Sequence, residues 1–558
     1  MAMGTVAKFV KRVKSAFGFG GSKHAPGSRG YARELLTQAF LQSGEAYRLA
    51  RRDRPSEHFQ PQHFSGTGAA MSSSDMMTRR ARDPVRNTAQ AKRINQILVD
   101  LIVGTGIQTF SWPFAPAELF QIVTELEDLA IGALGPRLSF ALESDDLFEE
   151  WSSDPKQFDA EGRLSRDEME RMLLGDCIQV GTGLMIRTRP KNYKLVPLAY
   201  QLIEQEQIDL SQDRVARPGQ NKIVAGREFD ESNRIVAYHV YIDHPYDSFG
   251  SAAYRRDRIP ADRVIDLAIF HRPSAAIGVS WLDAIGQSVF DRESYTDSEI
   301  RAAAMAAVFT VLHKLNDPEV AAAMGFDDGT DSDTDDYGNE EVKLGHSPVA
   351  TRIGKDESVE IVNSARPNST CDTFLGVLDR DIACGGGISY YSLTGNYQAT
   401  SFSSTRAAKL DEDLHILPMQ KWFATHVALP VRRQFNSMAA AAGLFSSLRP
   451  AQYLRDQRTF QRFDAIGNGR DILDPGAETT AKINKLRSGL STLKEECARN
   501  GKHWIRVLMQ RAIEQSVAGL FDVPLDYSLG GGASSPNRSD TGSDGEDSQA
   551  KEKSNAAA

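Results

Sequence analysis

Cysteine is scarce in this chain. Its four residues, Cys177, Cys371, Cys384 and Cys497, lie far apart in 558 and never form a Cys-x-x-Cys pair. That spacing gives no support to a disulfide framework or a cysteine-based zinc site, and reduced, mostly buried thiols are expected. Long apolar runs are missing as well. A bilayer-spanning helix needs roughly 18–20 consecutive apolar residues. The nearest approach, 302–312, is alanine-rich and ends at His313 and Lys314. The first residues scatter Lys8, Lys11, Arg12 and Lys14 where a secretory signal would place a charged start before an apolar block. No membrane association and a cytoplasmic site of assembly are therefore expected.

The usual catalytic constellations are absent too. Gly18-Phe19-Gly20-Gly21-Ser22-Lys23 lacks the spacing and final hydroxyl of a phosphate-cradling loop, and Gly104-Thr105-Gly106 and Gly181-Thr182-Gly183 lack the third glycine of a dinucleotide fingerprint. There is no His-Glu-x-x-His pair and no Gly-x-Ser-x-Gly elbow. The run Asp331-Ser332-Asp333-Thr334-Asp335 resembles the start of a calcium loop. However, Asp336 stands where the sharp turn needs glycine, and Val342 where a bidentate glutamate should close the shell. His239, His244 and His271 have no helical pairing or carboxylate spacing and read as structural. No enzyme activity, cofactor or metal is expected.

What is present is segregated charge. The net charge of −9 conceals 17 Lys and Arg against 6 Asp and Glu from Met1 to Arg93. Between 326 and 341 stand eight acids and no base: Asp327, Asp328, Asp331, Asp333, Asp335, Asp336, Glu340 and Glu341. The last thirty or so residues are Ser, Gly, Asn and acid. Such asymmetry suggests partners at more than one surface. Val6, Phe9, Val10, Val13 and Phe17 share one helical face opposite the basic residues. This arm could bind membrane, nucleic acid, a partner protein or its own fold. A flexible linker follows at 18–30, and 59–74 reads as loosely ordered.

Helical periodicity then appears at 89–103, where Ile94, Ile97, Leu98, Leu101 and Ile102 precede the stop Gly104-Thr105-Gly106. Residues 112–134 read as loop and helix, 140–151 as an acidic helix, and 165–178 as a helix capped by Ser165. Short β-branched or aromatic runs follow at 178–188, 194–203, 223–229, 235–242 and 263–268. Apolar and polar residues do not alternate strictly in 235–242, which implies cover on both faces. The longest helical signal covers 281–314, with Ile285, Val289, Ile300, Ala304, Ala307, Val308, Val311 and Leu312 on one side. A β-like stretch at 342–362 follows the acidic loop. Next come a helix at 372–384 that ends at Gly385-Gly386-Gly387, and another from about 403 into the 430s with a bend expected at Pro418. Asp474-Pro475 opens a last helical region in which Ser491 reads as a cap, and the tail from about 530 reads as disordered.

Taken in order, these segments resemble the lambda-type portal proteins of tailed bacteriophages over 78–522. The resemblance is carried by Arg79-Arg80-Ala81-Arg82-Asp83, Val103-Gly104-Thr105-Gly106-Ile107, Phe158-Asp159 and Arg171-Met172-Leu173-Leu174-Gly175-Asp176. Gln201-Leu202-Ile203-Glu204, Gln207-Ile208-Asp209, Gly226-Arg227-Glu228-Phe229-Asp230 and Ala237-Tyr238-His239-Val240-Tyr241 continue it. The strongest stretch runs from Ile259-Pro260-Ala261-Asp262-Arg263-Val264-Ile265 through His271-Arg272-Pro273 to Gly278-Val279-Ser280-Trp281-Leu282. Gly387-Ile388-Ser389-Tyr390-Tyr391, Leu393-Thr394-Gly395 and Ser403-Ser404-Thr405-Arg406 complete it. The acidic loop, the basic arm and the Ser/acid tail depart from the family pattern and inherit no role from it.

The resemblance implies an α+β portal fold in a cone-like ring of about twelve subunits. It divides the chain into a basic flexible arm (1–77), a mixed α/β wing (78–280) and a first stem helix (281–314). A small clip with the acidic loop (315–371) and a second stem helix (372–385) follow. A tunnel-loop candidate (386–404), a helical wing or crown region (405–525) and a disordered acidic tail (526–558) close the list. It also implies a virion component at the capsid vertex through which double-stranded DNA is packaged and ejected. The terminase large subunit, the head–tail adaptor, and the major capsid and scaffolding proteins would be its partners. A channel that passes DNA must not grip it, because each neutralised phosphate adds salt-dependent affinity. Channel-facing candidates are Asp291, Glu293, Asp297 and Glu299, with Arg301 as the basic exception. A solvated helix face or inter-subunit ion pairs would account for them equally well. Tyr390, Tyr391, Asn396 and Tyr397 are candidates for contact with DNA, and the eight acids of 327–341 for partner docking. The alternative is a non-portal nucleic-acid-binding structural protein that acts through its basic amino-terminal region.

Overall fold

Ser65 caps the first helix, α1 (Gly66–Asn87), by accepting from the Gly68 amide at 3.0 Å. The computed structural model describes residues 63–114, 129–247, 255–309, 370–398, 400–469 and 475–520, with Val523 and Leu525. Those from Ser65 onward fall in one compact unit. Over 66–77, helix α1 corrects the expectation of loose order at 59–74 and of a flexible arm extending to 77. Its Gly, Ser and Thr content is poor in intrinsic helix propensity, but Gly66, Ala70, Ser74, Thr78 and Ala81 form a small-residue face that is buried. Ala70 packs with Ala225 and Ile277, and Thr67 Oγ1 donates to the Ser274 carbonyl at 2.6 Å.

Thr88 caps α2 (Ala89–Ile102), whose Ile94, Ile97, Leu98 and Ile102 enter the main core as their spacing predicts. Strand β1 (Gln108–Ser111), unseen in the sequence, leads to α3 (Leu129–Ser153) and the short α4 (Pro155–Phe158). Ser165 and Glu168 then build the capping box of α5 (Arg166–Val180). Because α5 runs to Val180, the strand expected at 178–188 begins only at Thr182. Gly181 makes the switch in a left-handed conformation, φ 88°, pressed so closely on Gly278 and Val279 that a Cβ there would clash with their backbone.

Strands β2 (Thr182–Thr188) and β3 (Ala199–Ile203) follow, the latter shorter at its start than the expected 194–203. The single strand expected at 223–229 is a hairpin, β4 (Lys222–Val224) and β5 (Arg227–Phe229), turning at Ala225-Gly226 where both φ angles are positive. After β6 (Ile235–Tyr241) comes β7 (Arg256–Pro260), whose charged residues hide it from a hydrophobic pattern, and then β8 (Val264–Ala268). These strands form two antiparallel sheets, β3-β2-β8 and β4-β5-β6-β7. No residue of β6 is fully exposed, in keeping with cover on both faces.

The remaining elements are helical except for one short strand. They are α6 (Gly286–Phe309), α7 (Cys371–Gly386), α8 (Tyr390–Thr394), α9 (Phe402–Phe423), α10 (Leu429–Ala441), α11 (Pro450–Arg455) and α12 (Gln457–Phe460). Strand β9 (Phe463–Ile466) pairs antiparallel with β1, and α13 (Pro475–Arg487), α14 (Leu493–Arg499) and α15 (Trp504–Leu520) follow. The irregularity expected at Pro418 falls instead at 424–428, a π turn in which the Leu429 amide donates to the Ala424 carbonyl. Pro430 has no N–H and would crowd the carbonyl four residues back, so the wider turn accommodates it. The cap expected at Ser491 is Thr492, which forms a capping box with Glu495, while the Ser491 hydroxyl donates to Glu496 at 2.6 Å. The result is a mixed α+β fold.

Its interior holds Trp151 against Phe158, Phe435, Phe148 and Tyr200, with ring centroids 4.9–6.3 Å apart. Charge is buried beside these rings. Phe148 lies between the guanidiniums of Arg432 at 4.3 Å and Arg166 at 5.2 Å. Arg432, fully buried, pairs with Asp145 at 2.5 Å and donates to Ser144 Oγ at 2.9 Å. Burial brings Arg432 down to about 10. It also pushes Glu170 up to about 7, although the Ile107 amide donates to that carboxylate.

Candidate functional site

Trp281 anchors the base of the α6–α7 pair. Its amide donates to the Ile178 carbonyl and its indole N–H to the Gly386 carbonyl at 2.9 Å. The Gly385-Gly386-Gly387 stop does more than end a helix. A Cβ on Gly385 would meet Ile285 at 2.3 Å, so glycine there lets the end of α7 press against the start of α6.

From that base the helices run antiparallel. Ser288 Oγ donates to Asp381 at 3.0 Å, Arg292 pairs with Asp379 at 2.5 Å, and the Tyr295 and Phe374 rings meet at 4.8 Å. Numbers rise on one helix as they fall on the other, which is the order of a hairpin. At 100° per residue, the face of α6 turned away from α7 carries Phe290, Glu293, Asp297, Ile300 and Arg301. Phe290 and Ile300 are 62% and 61% exposed. Asp291 and Glu299 leave this face: Asp291 accepts from Gln287 at 2.8 Å, and Glu299 sits half-buried on the α7 side. There, loss of hydration and then hydrogen bonds with Glu299 and Cys371 push the Tyr295 phenol up to about 12. Of the five candidates on α6, three therefore share one surface, and apolar side chains interrupt it.

The segment expected as a loop at 386–404 is partly helical. Ser389 caps α8, and its amide donates to the buried Glu412 of α9 at 3.1 Å. Tyr391 stacks on Tyr397 at 6.0 Å and meets Tyr390 edge-on at 5.7 Å, while Arg380 of α7 lies 5.1 Å over the Tyr390 ring. Asn396 and Tyr397 are exposed, whereas Tyr390 and Tyr391 are half-buried. Helix α9 leaves Leu410, Leu414 and Leu417 59%, 70% and 60% exposed in a single stripe. Spacing alone would have found that stripe. The Arg292–Asp379 pair and Arg380 had no such signal, because their partners come from other elements.

Residues 1–62 of the basic arm with its linker, the eight acids of 327–341, the β-like stretch 342–362 and the tail lie outside the described residues. His239 stands 3.5 Å from Glu228 and His244 3.2 Å from Glu204, so the histidine trio is not assembled into one site. Among the described residues no His, Cys, Asp and Glu cluster has metal-holding geometry, and no helix is long and apolar enough to cross a membrane.

Residues 52–420 match the family described as phage portal protein, lambda family. That match begins within the basic arm and ends inside α9, whereas the resemblance in the residues covers 78–522. The portal protein of Escherichia phage N15 is 26% identical over 189 residues, 33% of this chain and 36% of the relative. Portal protein B of Escherichia phage lambda is 27% identical over 197 residues, 33% of this chain and 35% of the relative. The matched stretches thus span little more than a third of those relatives. Among solved structures, the neck of a native gene transfer agent particle computed with C12 symmetry is 13% identical, with a TM-score of 0.33. It covers 76% of this chain and 94% of that one. A match over more than half of its residues places the chain in the lambda family of phage portal proteins, which are structural proteins rather than enzymes.

Proposed function

We propose that copies of this chain close into a ring of about twelve at the vertex of a phage capsid, around a passage for double-stranded DNA. One observation carries the reading. The antiparallel α6–α7 hairpin exposes large apolar side chains on both helices: Phe290 and Ile300 on α6, and Phe374 and Val377 on α7. A monomer gains nothing from a hydrophobic face that meets water. Burying each such side chain contributes about 1.5–3 kcal/mol, and a ring repeats that contribution at every seam. In this assembly 78–280 supplies the wing, and α6 and α7 the stem. Tyr397 and Asn396 are the DNA-facing positions of the tunnel segment. The acidic loop 327–341 extends the clip, and the terminase large subunit, head–tail adaptor, capsid and scaffolding proteins are the partners.

Negative-stain microscopy of the purified chain tests the proposal. Closed rings with a central hole are expected. A sample that stays as single chains, even with its capsid proteins present, would overturn it.

A further inference from the structure

Away from the hairpin, β2, α10 and Gln461 border an open pocket of about 260 Å³, lined by Arg187, the exposed Arg433, Gln434, Ser437, Met438 and Gln461. Its hydrogen bonding is lopsided. Arg187 spends one nitrogen on Asp262 at 3.1 Å. Arg433 has no side-chain hydrogen bond, ion pair or ring contact among the described residues. The Gln434 carbonyl oxygen accepts from Tyr200 at 2.6 Å, which fixes the side chain and leaves its amide N–H groups available. Gln461 donates to Ser437 Oγ at 2.9 Å and to Tyr453, while the Ser437 hydroxyl donates to the Arg433 carbonyl. The pocket therefore offers uncommitted donors on two guanidiniums and an amide, and Asp262 is already engaged.

We infer that this pocket is a docking site for a carboxylate side chain on an acidic segment of a partner protein. A planar guanidinium fork matches a carboxylate in a bidentate arrangement, and such charge-assisted bonds are the strong ones. Met438, half-buried at the wall, suits the methylenes that carry a glutamate carboxylate. Duplex DNA fits less well. Its phosphates line a convex ridge and call for a row of cations, whereas this is one concavity with Asp262 beside it. The site shares no residue with the proposed channel positions and adds a protein-recognition surface to the chain.

The test is fluorescence anisotropy on the full chain, with a labelled short peptide of alternating Glu and Ala, its Gln counterpart and a short DNA duplex. The Glu peptide should bind and the Gln peptide should not. Arg433→Gln should weaken binding about tenfold, Arg433→Lys should recover only part of that loss because an ammonium cannot form the bidentate pair, and Arg455→Gln, a control at another exposed arginine, should leave it unchanged. Equal affinity in wild type and Arg433→Gln would overturn the inference. So would DNA that displaces the peptide and itself loses affinity in that variant, because the pocket would then be a phosphate site.

Discussion

Phe148 and Phe290 are the same side chain in two circumstances. The first lies 4% exposed between Arg432 and Arg166, in an interior where Trp151, Phe158 and Phe435 fill the space around it. The second stands 62% exposed on α6, one turn from Glu293. The interior around α3, α5 and α10 takes its aromatic packing and the counterion of Arg432 from one chain. The surfaces of α6, α7 and α9 are unfinished. The difference separates what a single chain must satisfy to fold from what it leaves for its neighbours.

The largest effect should come from breaking the finished region. Arg432→Met keeps much of the volume but leaves Asp145 buried with the Ser111 amide and, as its one close cation, Arg506 at 3.4 Å. A loss of about 3–5 kcal/mol is expected, read as a marked fall in melting temperature and solubility. A melting temperature that hardly moved would show that this interior is not self-contained.

A smaller effect distinguishes the interior by its pH response. Glu170, 1% exposed, is held at about 7, above the roughly 4.3 of an unfolded chain. The folded state therefore keeps a proton that the unfolded state releases. No penalty exists in acid; stability falls as pH rises from about 4.3 through 7, by a total on the order of 3 kcal/mol. Glu170→Gln should reduce that slope in melting curves taken across this range, leaving the part due to Asp176, which burial also raises to about 7, and Arg166 keeps Asp167 at 2.7 Å as its partner. An unchanged slope would assign the pH response to other groups.

The smallest effect on folding should come from the unfinished surface. Phe290→Ser with Ile300→Ser should move stability by no more than about 0.5 kcal/mol, since both side chains already meet water. Sedimentation should nevertheless show the assembly reduced to single chains. If the melting temperature falls steeply, α6 is part of the interior and the contrast between the two regions disappears.

Legibility in the sequence followed the same division. Ser165 announced α5 because a serine cap is local chemistry, and Ile94, Ile97, Leu98 and Ile102 announced α2 because their period is the helix's own. Helix α1 escaped because its buried face is Ala70, Ser74, Thr78 and Ala81, whose small size matters only once the 274–277 loop lies against it. Strands β1 and β9 escaped because each is four residues long and finds its partner some 350 residues away. In the candidate site, the acids of α6 were legible as residues, but their sorting was not. Glu293 and Asp297 face away from α7 while Glu299 turns toward Tyr295, and that depends on where α7 lies.

By itself the sequence determined the cap of α5 and the period of α2, where charge is segregated, and, through the order of its motifs, the family. Each is set by neighbours along the chain or by a pattern that survives without coordinates. Only the tertiary structure decided which charges are buried, which apolar side chains remain uncovered, and that Arg187 and Arg433 share a pocket. Those outcomes depend on contacts between residues hundreds of positions apart, and a hydrophobic or charged residue carries no mark of the surface it will meet.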